Sequence, residues 1–402
     1  MHEDFIIASS PKRFIFRDGE EPLHQHVIFT QMGQKALYDS VSQCNKCAYC
    51  SRACPFQLLT NTEDNGPRAR NILLRYIMEA KVGFRKNTER IKKVTSGCML
   101  CGLCTKECFA KVPTHEHVLE LERSVAARKL PLLYRAQKIL ISLNPFSLKN
   151  KLKKETAETA AAFFLPSFEA KFTEVKTGVK IYETIKNIFG TAGVLYEDTG
   201  MYEYVYGTLP QCRSRAQKLM EKYFKLCPTA DKKIVTDSLE IYNFIQKYPQ
   251  IFHGTQHFEK AQKFAANTKF LADVIPLNQI KKTDSEEKVI LTKTSLFSAE
   301  DELFHSSSQI LGKMFKHFTP AWYGQNYPLA LFGYDKIKPK ETAVFFKIKS
   351  EYIAYNQADI VVCTSLAQKN TLNKCLKKYY AKARVFYIGD IGNGYADRKT
   401  DS

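Results

Sequence analysis

The chain has 402 residues, 44% of them hydrophobic and 12% aromatic, which is long for one core and predicts two or three domains with ordinary apolar interiors. Its 60 Lys and Arg against 41 Asp and Glu give a formal charge of +19, a field that suits an anionic membrane surface or an acidic partner. No run approaches about 18 uninterrupted apolar residues, so no segment reads as a membrane-spanning helix, and without a zinc-finger, helix-turn-helix or Gly-rich RNA-binding signature nucleic acid is not an expected partner.

Residues 1–30 read as an irregular or partly stranded lead-in, without the apolar core of about 7–15 residues that a secretory signal carries. From Gln31 to about Arg128 the apolar spacing is helical. Two near-copies of one cysteine pattern sit within it: Cys44-x2-Cys47-x2-Cys50-x3-Cys54-Pro55 and Cys98-x2-Cys101-x2-Cys104-x3-Cys108. A run of this kind holds a cubane [4Fe–4S] cluster with its first three thiolates, and in two-cluster ferredoxins the fourth ligates the other cluster. The pattern predicts two [4Fe–4S] clusters, one on Cys44, Cys47, Cys50 and Cys108, the other on Cys98, Cys101, Cys104 and Cys54. Pro55 follows the first run as such motifs prefer, whereas the second has Phe109 in that place. Zinc is the competing reading, but two C-x2-C knuckles per ion have no use for a third cysteine at x2 and a fourth at x3. Disulfides suit small secreted chains; a chain of this length without a signal sequence is expected in a reducing cytoplasm.

Between the runs, Asn65-Gly66-Pro67 is a turn signal that starts a helix over Arg68–Lys81, with Leu73, Ile77 and Ala80 on one face. Such a helix packs against both clusters and brings Cys54 close to the second run. His115–Arg128 reads as the helix that leaves the second run. Residues 131–160 have the character of a linker, with Pro131, Asn144-Pro145 and a lysine-rich stretch over Lys149–Lys154.

Beyond the linker, short apolar runs alternate with helical stretches. The first series takes in Ala161–Leu165, Val179–Phe189, Gly193–Tyr196, Arg213–Lys225, Lys233–Thr236 and Leu239–Tyr248, ending near Ala272–Pro276. The order recurs in Lys288–Thr292, Phe304–Phe318, Leu329–Phe332, Val344–Asn356, Asp359–Val362, Gln368–Tyr380 and Arg384–Ile388. Alternation of this kind predicts parallel sheets, and its recurrence predicts two copies of one module, 161–280 and 281–402. The expected fold is α+β and multidomain: an all-α two-cluster ferredoxin domain over 1–130, then two repeated α/β parallel-sheet modules.

The segments Cys44-Asn-Lys-Cys-Ala-Tyr-Cys-Ser-Arg-Ala-Cys-Pro55, Asn65-Gly-Pro-Arg-Ala-Arg70 and Gly97-Cys-Met-Leu-Cys-Gly-Leu-Cys-Thr-Lys-Glu-Cys108 resemble a known group. It comprises the iron–sulfur subunits of glycolate oxidase, anaerobic glycerol-3-phosphate dehydrogenase and lactate-utilisation systems, with the fused heterodisulfide reductase C/B subunits. The resemblance implies a helical ferredoxin domain joined to two α/β modules rich in Cys-Cys-Gly. The sequence departs from that pattern in both modules. The corresponding positions fall at Ser167, at Asp198-Thr199-Gly200 and at Thr236-Asp-Ser238 with Ile241 in the first module. In the second they fall near Thr294-Ser295, at Leu331-Phe332-Gly333 and around Thr364, and none is cysteine. Gly200, Gly333 and Tyr248-Pro249 remain, which suggests a retained fold without the ligands. The other cysteines, Cys212, Cys227, Cys363 and Cys375, are singletons expected to pack as small apolar residues.

Without Cys-Cys-Gly the chain is not expected to perform disulfide chemistry, and neither a G-x-G-x-x-G after a strand nor a P-loop is present, so flavin or nucleotide chemistry belongs to another subunit. His115 and His117 are expected to tune or pack near a cluster, and the polar setting of His253 and His257 argues against a metal site there. The function expected is electron transfer through two clusters, between a partner flavoprotein dehydrogenase and a quinone-linked membrane subunit or other carrier. The location expected is the cytoplasm, peripherally at the membrane. The alternatives are an oxidoreductase subunit with an extra cofactor in its modules, or an assembly or anchoring factor of a membrane redox complex.

Overall fold

The computed structural model describes residues 33–79, 88–98, 100–125, 146–152, 159–206, 209–292, 305–320, 347, 349–379 and 382–391. The N-terminal part is helical, with the helices Gly33–Ser42, Pro55–Thr60, Pro67–Met78, Thr88–Ser96, Leu103–Glu107 and Thr114–Val125. Pro67 stands in the first turn of its helix, where its missing N–H would have had no helical partner. The helix buries Leu73, Leu74, Ile77 and Met78 along one stripe, in one apolar cluster with Leu37, Val41, Ile91, Val94 and Val118 from the flanking helices. Each such side chain contributes about 1.5–3 kcal/mol when fully buried, so this stripe holds the layer together. The helix ends at Met78 rather than Lys81, with Glu79 as its C-cap.

Three of these helices are also tied by polar groups. Asn71 donates through Nδ2 to Thr114 Oγ1 at 2.9 Å, which turns its Oδ1 toward His117 to accept from Nδ1 at 2.8 Å. Ser40 donates to His117 Nε2 at 3.0 Å. Burial, and then the neighbouring His115, push the His117 imidazole down to about 3, so it stays neutral and serves as a strut between these helices.

The C-terminal part holds two four-stranded parallel sheets. The first contains β1 (Ala162–Leu165), β2 (Ala192–Val194), β3 (Lys233–Thr236) and β4 (Thr268–Phe270) in the order β2-β1-β3-β4. The second contains β5 (Lys288–Thr292), β6 (His317–Thr319), β7 (Ile360–Cys363) and β8 (Arg384–Tyr387) in the order β6-β5-β7-β8. Leu165 pairs with Thr236 and Thr292 with Cys363, so the two sheets repeat one topology. β1 and β7 are buried along their whole length, as expected of central parallel strands covered on both faces. The fold is therefore the α+β, multidomain one expected: a helical N-terminal domain and two α/β modules.

Two strands depart from the expected positions. Ala272–Pro276 does not close the first module as a strand; its start lies in the helix Leu271–Val274, and the edge strand is the preceding Thr268–Phe270. That strand has only three residues, too few for an alternating pattern to register. The helix expected over 304–318 stops at Met314, and the half-exposed His317–Thr319 becomes the edge strand β6. Residues 1–32 and 329–332, and most of the linker, lie outside the described residues. Among the described residues no helix is long and apolar enough to cross a membrane.

The modules meet at the C-terminal ends of β3 and β7. Leu239 N donates to Thr364 O at 3.4 Å, Tyr387 donates through its hydroxyl to Asp237 O at 2.8 Å, and Ser365 donates to Glu240 Oε1 at 3.2 Å. The N-terminal domain is tied to the first module through the buried Glu116, which accepts from Tyr204 at 2.6 Å and from Lys247 Nζ at 2.5 Å.

Candidate metal centre

Both cysteine runs begin where a helix ends, with Cys44 N donating to Val41 O at 3.2 Å and Cys98 N to Thr95 O at 2.9 Å. From there the two backbones take the same path. The residues flanking the second cysteine are left-handed in each: Lys46 (φ 58°) and Ala48 (φ 62°) in the first run, Leu100 (φ 54°) and Gly102 (φ 74°) in the second. Three of these four are not glycine, and each left-handed L-residue costs about 1–2 kcal/mol. Strain repeated at matching positions marks a backbone held to a functional shape. A short helical turn then carries the third cysteine, Tyr49–Ala53 in one run and Leu103–Glu107 in the other. The fourth cysteine is extended in both, Cys54 at φ −82°, ψ 110° and Cys108 at φ −78°, ψ 122°. Gly97, just before Cys98, is required by packing: a Cβ there would run into the Phe56 ring.

The extended fourth cysteines carry each run's last thiol into the other's neighbourhood. Burial, then Cys44, Cys108 and Cys47, push the Cys50 thiol up to about 11. Burial pushes Cys101 up to about 12, with Cys54 and Cys98 adding to it. Cys104 lies well above its usual value through burial, then Cys101, Cys98 and Cys54. The electrostatic neighbours of Cys50 are thus Cys44, Cys108 and Cys47, and those of Cys104 are Cys101, Cys98 and Cys54. Arg52, bonded to Glu107 at 3.2 Å, bridges the two runs.

A cavity of about 170 Å³ opens among Cys44, Cys47, Cys50, Cys104 and Cys108, several times a water's share of about 30 Å³. Cys104 is grouped electrostatically with the second run yet lines this cavity, so the two thiol groups adjoin. Among the described residues no three His, Cys, Asp or Glu side chains converge as ligands of one ion. Thiols spread around a space suit a multi-iron group, in which each iron takes its own thiolate. The donor set fits that group in charge as well. Arg70, 2% exposed, donates from Nη1 toward Cys54 Sγ at 3.8 Å and keeps a buried Nη2 without a hydrogen-bond partner.

The two thiol groups differ in exposure. Cys47 is exposed, and beside it Tyr49 and Phe109 stand 40% and 80% exposed with ring centroids 5.0 Å apart. The Arg52 guanidinium lies 3.7 Å above the Tyr49 ring, and Lys46 and Lys111 are exposed alongside. In the second group Cys54 and Cys98 are buried. The sequence reading gave no role to Arg70, Tyr204 or Glu116; Arg70 stood only within the Asn65–Arg70 segment that carries the resemblance. Two residues apart on a helix point about 200° apart. Arg68 accordingly reaches the first run, with Nη1 on Lys46 O at 3.1 Å, and Arg70 reaches the segment before the second, with Nε on Val94 O at 3.0 Å.

In the first module, a hydroxyl and carboxylate network takes in Ser167, Asp237 and Ser238, which stand at positions that matched family cysteines. Ser167 donates through N and Oγ to Asp237 at 2.6 and 2.5 Å, and Ser238 donates to Glu240 at 2.7 Å. Burial raises the Asp237 carboxyl to about 6 and Glu169 to about 8. Gly200, at φ 83°, lets the backbone pass where a Cβ would lie 2.6 Å from Cys212 O. The cavity left there is about 30 Å³, far smaller than the one of about 170 Å³ among the thiols. All four singleton cysteines are buried, and the Cys363 thiol donates to Phe386 O at 3.2 Å.

Residues 40–112 match the family of 4Fe-4S dicluster domains. Two proteins named lactate utilization protein B are similar over a comparable length. The one from Macrococcus caseolyticus (strain JCSC5402) is 27% identical over 112 residues, 27% of this chain and 22% of its own. The one from Exiguobacterium sp. (strain ATCC BAA-1283 / AT1b) is 27% identical over 117 residues, 28% of this chain and 24% of its own. The chain thus spans about a quarter of the length of the curated relatives it matches. Two thiol-lined loops of one shape, matched by a 4Fe-4S domain family, make this chain an iron–sulfur protein of the [4Fe–4S] kind.

Proposed function

We propose that the chain is an electron-transfer subunit that holds two [4Fe–4S] clusters, the first on Cys44, Cys47, Cys50 and Cys108, the second on Cys98, Cys101, Cys104 and Cys54. The observation that supports this reading is that Cys108 is among the electrostatic neighbours of Cys50 while Cys54 is among those of Cys104. When bound, such clusters supply a one-electron couple. The protein's own residues set the conditions for it. The left-handed residues beside Cys47 and Cys101 hold both loops in one shape, and the Pro67–Met78 helix fixes their separation through Arg68 and Arg70.

The exposed Cys47, Tyr49 and Phe109 form the face where electrons are exchanged, with Lys46, Arg52 and Lys111 favouring an acidic partner. The partner proposed is a flavoprotein dehydrogenase acting on a small hydroxy acid, in keeping with the name of the relatives, with onward transfer to a quinone-linked membrane subunit. The formal charge of +19 supports peripheral attachment at an anionic cytoplasmic membrane face. In this reading the modules are a docking scaffold, which is supported in the first by hydrogen-bonded Ser167, Asp237 and Ser238 at positions that matched cysteine, beside a cavity of about 30 Å³.

Anaerobic reconstitution followed by iron and sulfide analysis tests this. About eight irons per chain with cubane EPR signals on reduction are expected. About four irons, a zinc-loaded protein, or an additional paramagnetic species after thiol oxidation would each overturn it.

A further inference from the structure

We infer that Arg70 sets the reduction potential of the second cluster and makes it the more easily reduced of the two. The inference rests on the two-cluster reading above. Arg70 is fully buried in the first turns of the Pro67–Met78 helix, and a buried guanidinium cannot shed its proton to escape the cost of burial. It needs an anion. Among the described residues no carboxylate pairs with it: Nε is spent on the neutral Val94 O at 3.0 Å, Nη1 is directed to Cys54 Sγ at 3.8 Å, and Nη2 is buried with no acceptor. Its electrostatic neighbours are Cys98, Cys54 and Cys104, three of the four thiols of the second group. The guanidinium is thus matched to a negative charge that these thiolates bring together, and hydrogen bonds to cluster sulfur are one of the means by which proteins set potentials.

Among the described residues the first group has no buried equivalent. Arg68, which lines its cavity, is 28% exposed and paired with the Glu63 carboxylate, and Arg52 is 60% exposed and paired with Glu107, so both charges are compensated locally and screened by water. A fixed positive charge in a low-dielectric site favours the more negative redox state of its neighbour. With both clusters bound, Arg70 would stabilise the added negative charge of the second, which would therefore accept the first electron.

Potentiometric titration of the anaerobically reconstituted full chain, with dithionite as the electron source and EPR as readout, tests this on wild type, Arg70→Gln and Arg70→Lys. Wild type should show two one-electron transitions, with Cys101→Ser altering the signal of the upper one. About four irons per chain would refute the two-cluster reading and leave Arg70 without a second cluster to tune, whereas about eight irons with a single transition would overturn the inference, because the two potentials then coincide. With two transitions in place, Arg70→Gln should lower the upper one by tenfold or more in the reduced-to-oxidised ratio, about 59 mV for a one-electron couple, without moving the lower one. Arg70→Lys should lower it less. An unmoved upper transition, equal movement of both, or a Lys variant that shifts as far as Gln would overturn the inference. If the Gln variant loses the second cluster, the Lys variant decides: a cluster kept as the upper transition supports the charge role, and its loss refutes it.

Discussion

Replacing Glu116 with alanine tests the joint between the cluster domain and the first module. Glu116 is 2% exposed and takes hydrogen bonds from Tyr204 at 2.6 Å and Lys247 at 2.5 Å, both from the other side of the joint. Removing one partner of a buried ion pair costs about 3–5 kcal/mol. Lys247 keeps 15% of its side-chain surface in solvent, which places the loss near the lower end, about 3 kcal/mol. The Tyr204 hydroxyl, buried and left without its acceptor, adds about 1 kcal/mol. Together these amount to about 4 kcal/mol, or a fall of more than about 1 M in the urea midpoint of the reconstituted protein, followed anaerobically by far-UV circular dichroism. The same pair has a pH signature. Burial alone would raise the Glu116 carboxyl, but Lys247 and then His115 outweigh it and hold the group well below the ordinary 4.5. A depressed carboxyl contributes stability that is fully present above the unfolded value of 4.5 and is lost as pH falls toward the folded one. Glu116→Gln, which keeps the size and removes the charge, should therefore flatten the acid limb of the stability profile. A loss under about 1 kcal/mol in Glu116→Ala, or an unchanged acid limb in Glu116→Gln, would refute the reasoning.

The exchange of fourth cysteines predicts a pairing of iron losses. Cys44→Ser combined with Cys108→Ser should cost no more iron than Cys44→Ser alone, about four per chain, whereas Cys98→Ser combined with Cys108→Ser should remove nearly all of it. Gly97→Ala forces a methyl into the Phe56 ring and should destabilise the domain by about 1–3 kcal/mol through overpacking, read as a lower urea midpoint, with recovery in Gly97→Ala/Phe56→Leu. Phe109→Ala, at a site 80% exposed, should change stability by less than about 0.5 kcal/mol while quickening the bleaching of the first cluster by an iron chelator; equal bleaching rates would remove Phe109 from the cluster mouth.

Much of the fold was legible because its signals are local. The run Ala-Phe-Phe-Leu at β1 and Ile-Val-Val at β7 are continuous apolar stretches that only a doubly covered strand accommodates, and their recurrence after alternating helices revealed the repeat. The edge strands were not legible. Thr268–Phe270 and His317–Thr319 are three residues each with no apolar run, and they become strands only because β3 and β5 offer free backbone groups beside them.

The cysteine spacing by itself determined the chemistry, since three thiolates within one turn are a property of the chain and need no partner from elsewhere. It also determined which module positions are not cysteine. Only the tertiary structure decided how the first module's Ser167, Asp237 and Ser238 are engaged, in a hydroxyl and carboxylate network closed across the ends of β3 and β7, because those contacts join residues up to 150 apart in sequence. Only the tertiary structure separated Arg68 from Arg70. The sequence presents two like charges two residues apart, and the helix sends one to a partly exposed carboxylate and the other into a buried setting of thiols. Burial is a property of the packed whole, and it alone turns an ordinary arginine into a charge that needs an anion beside it.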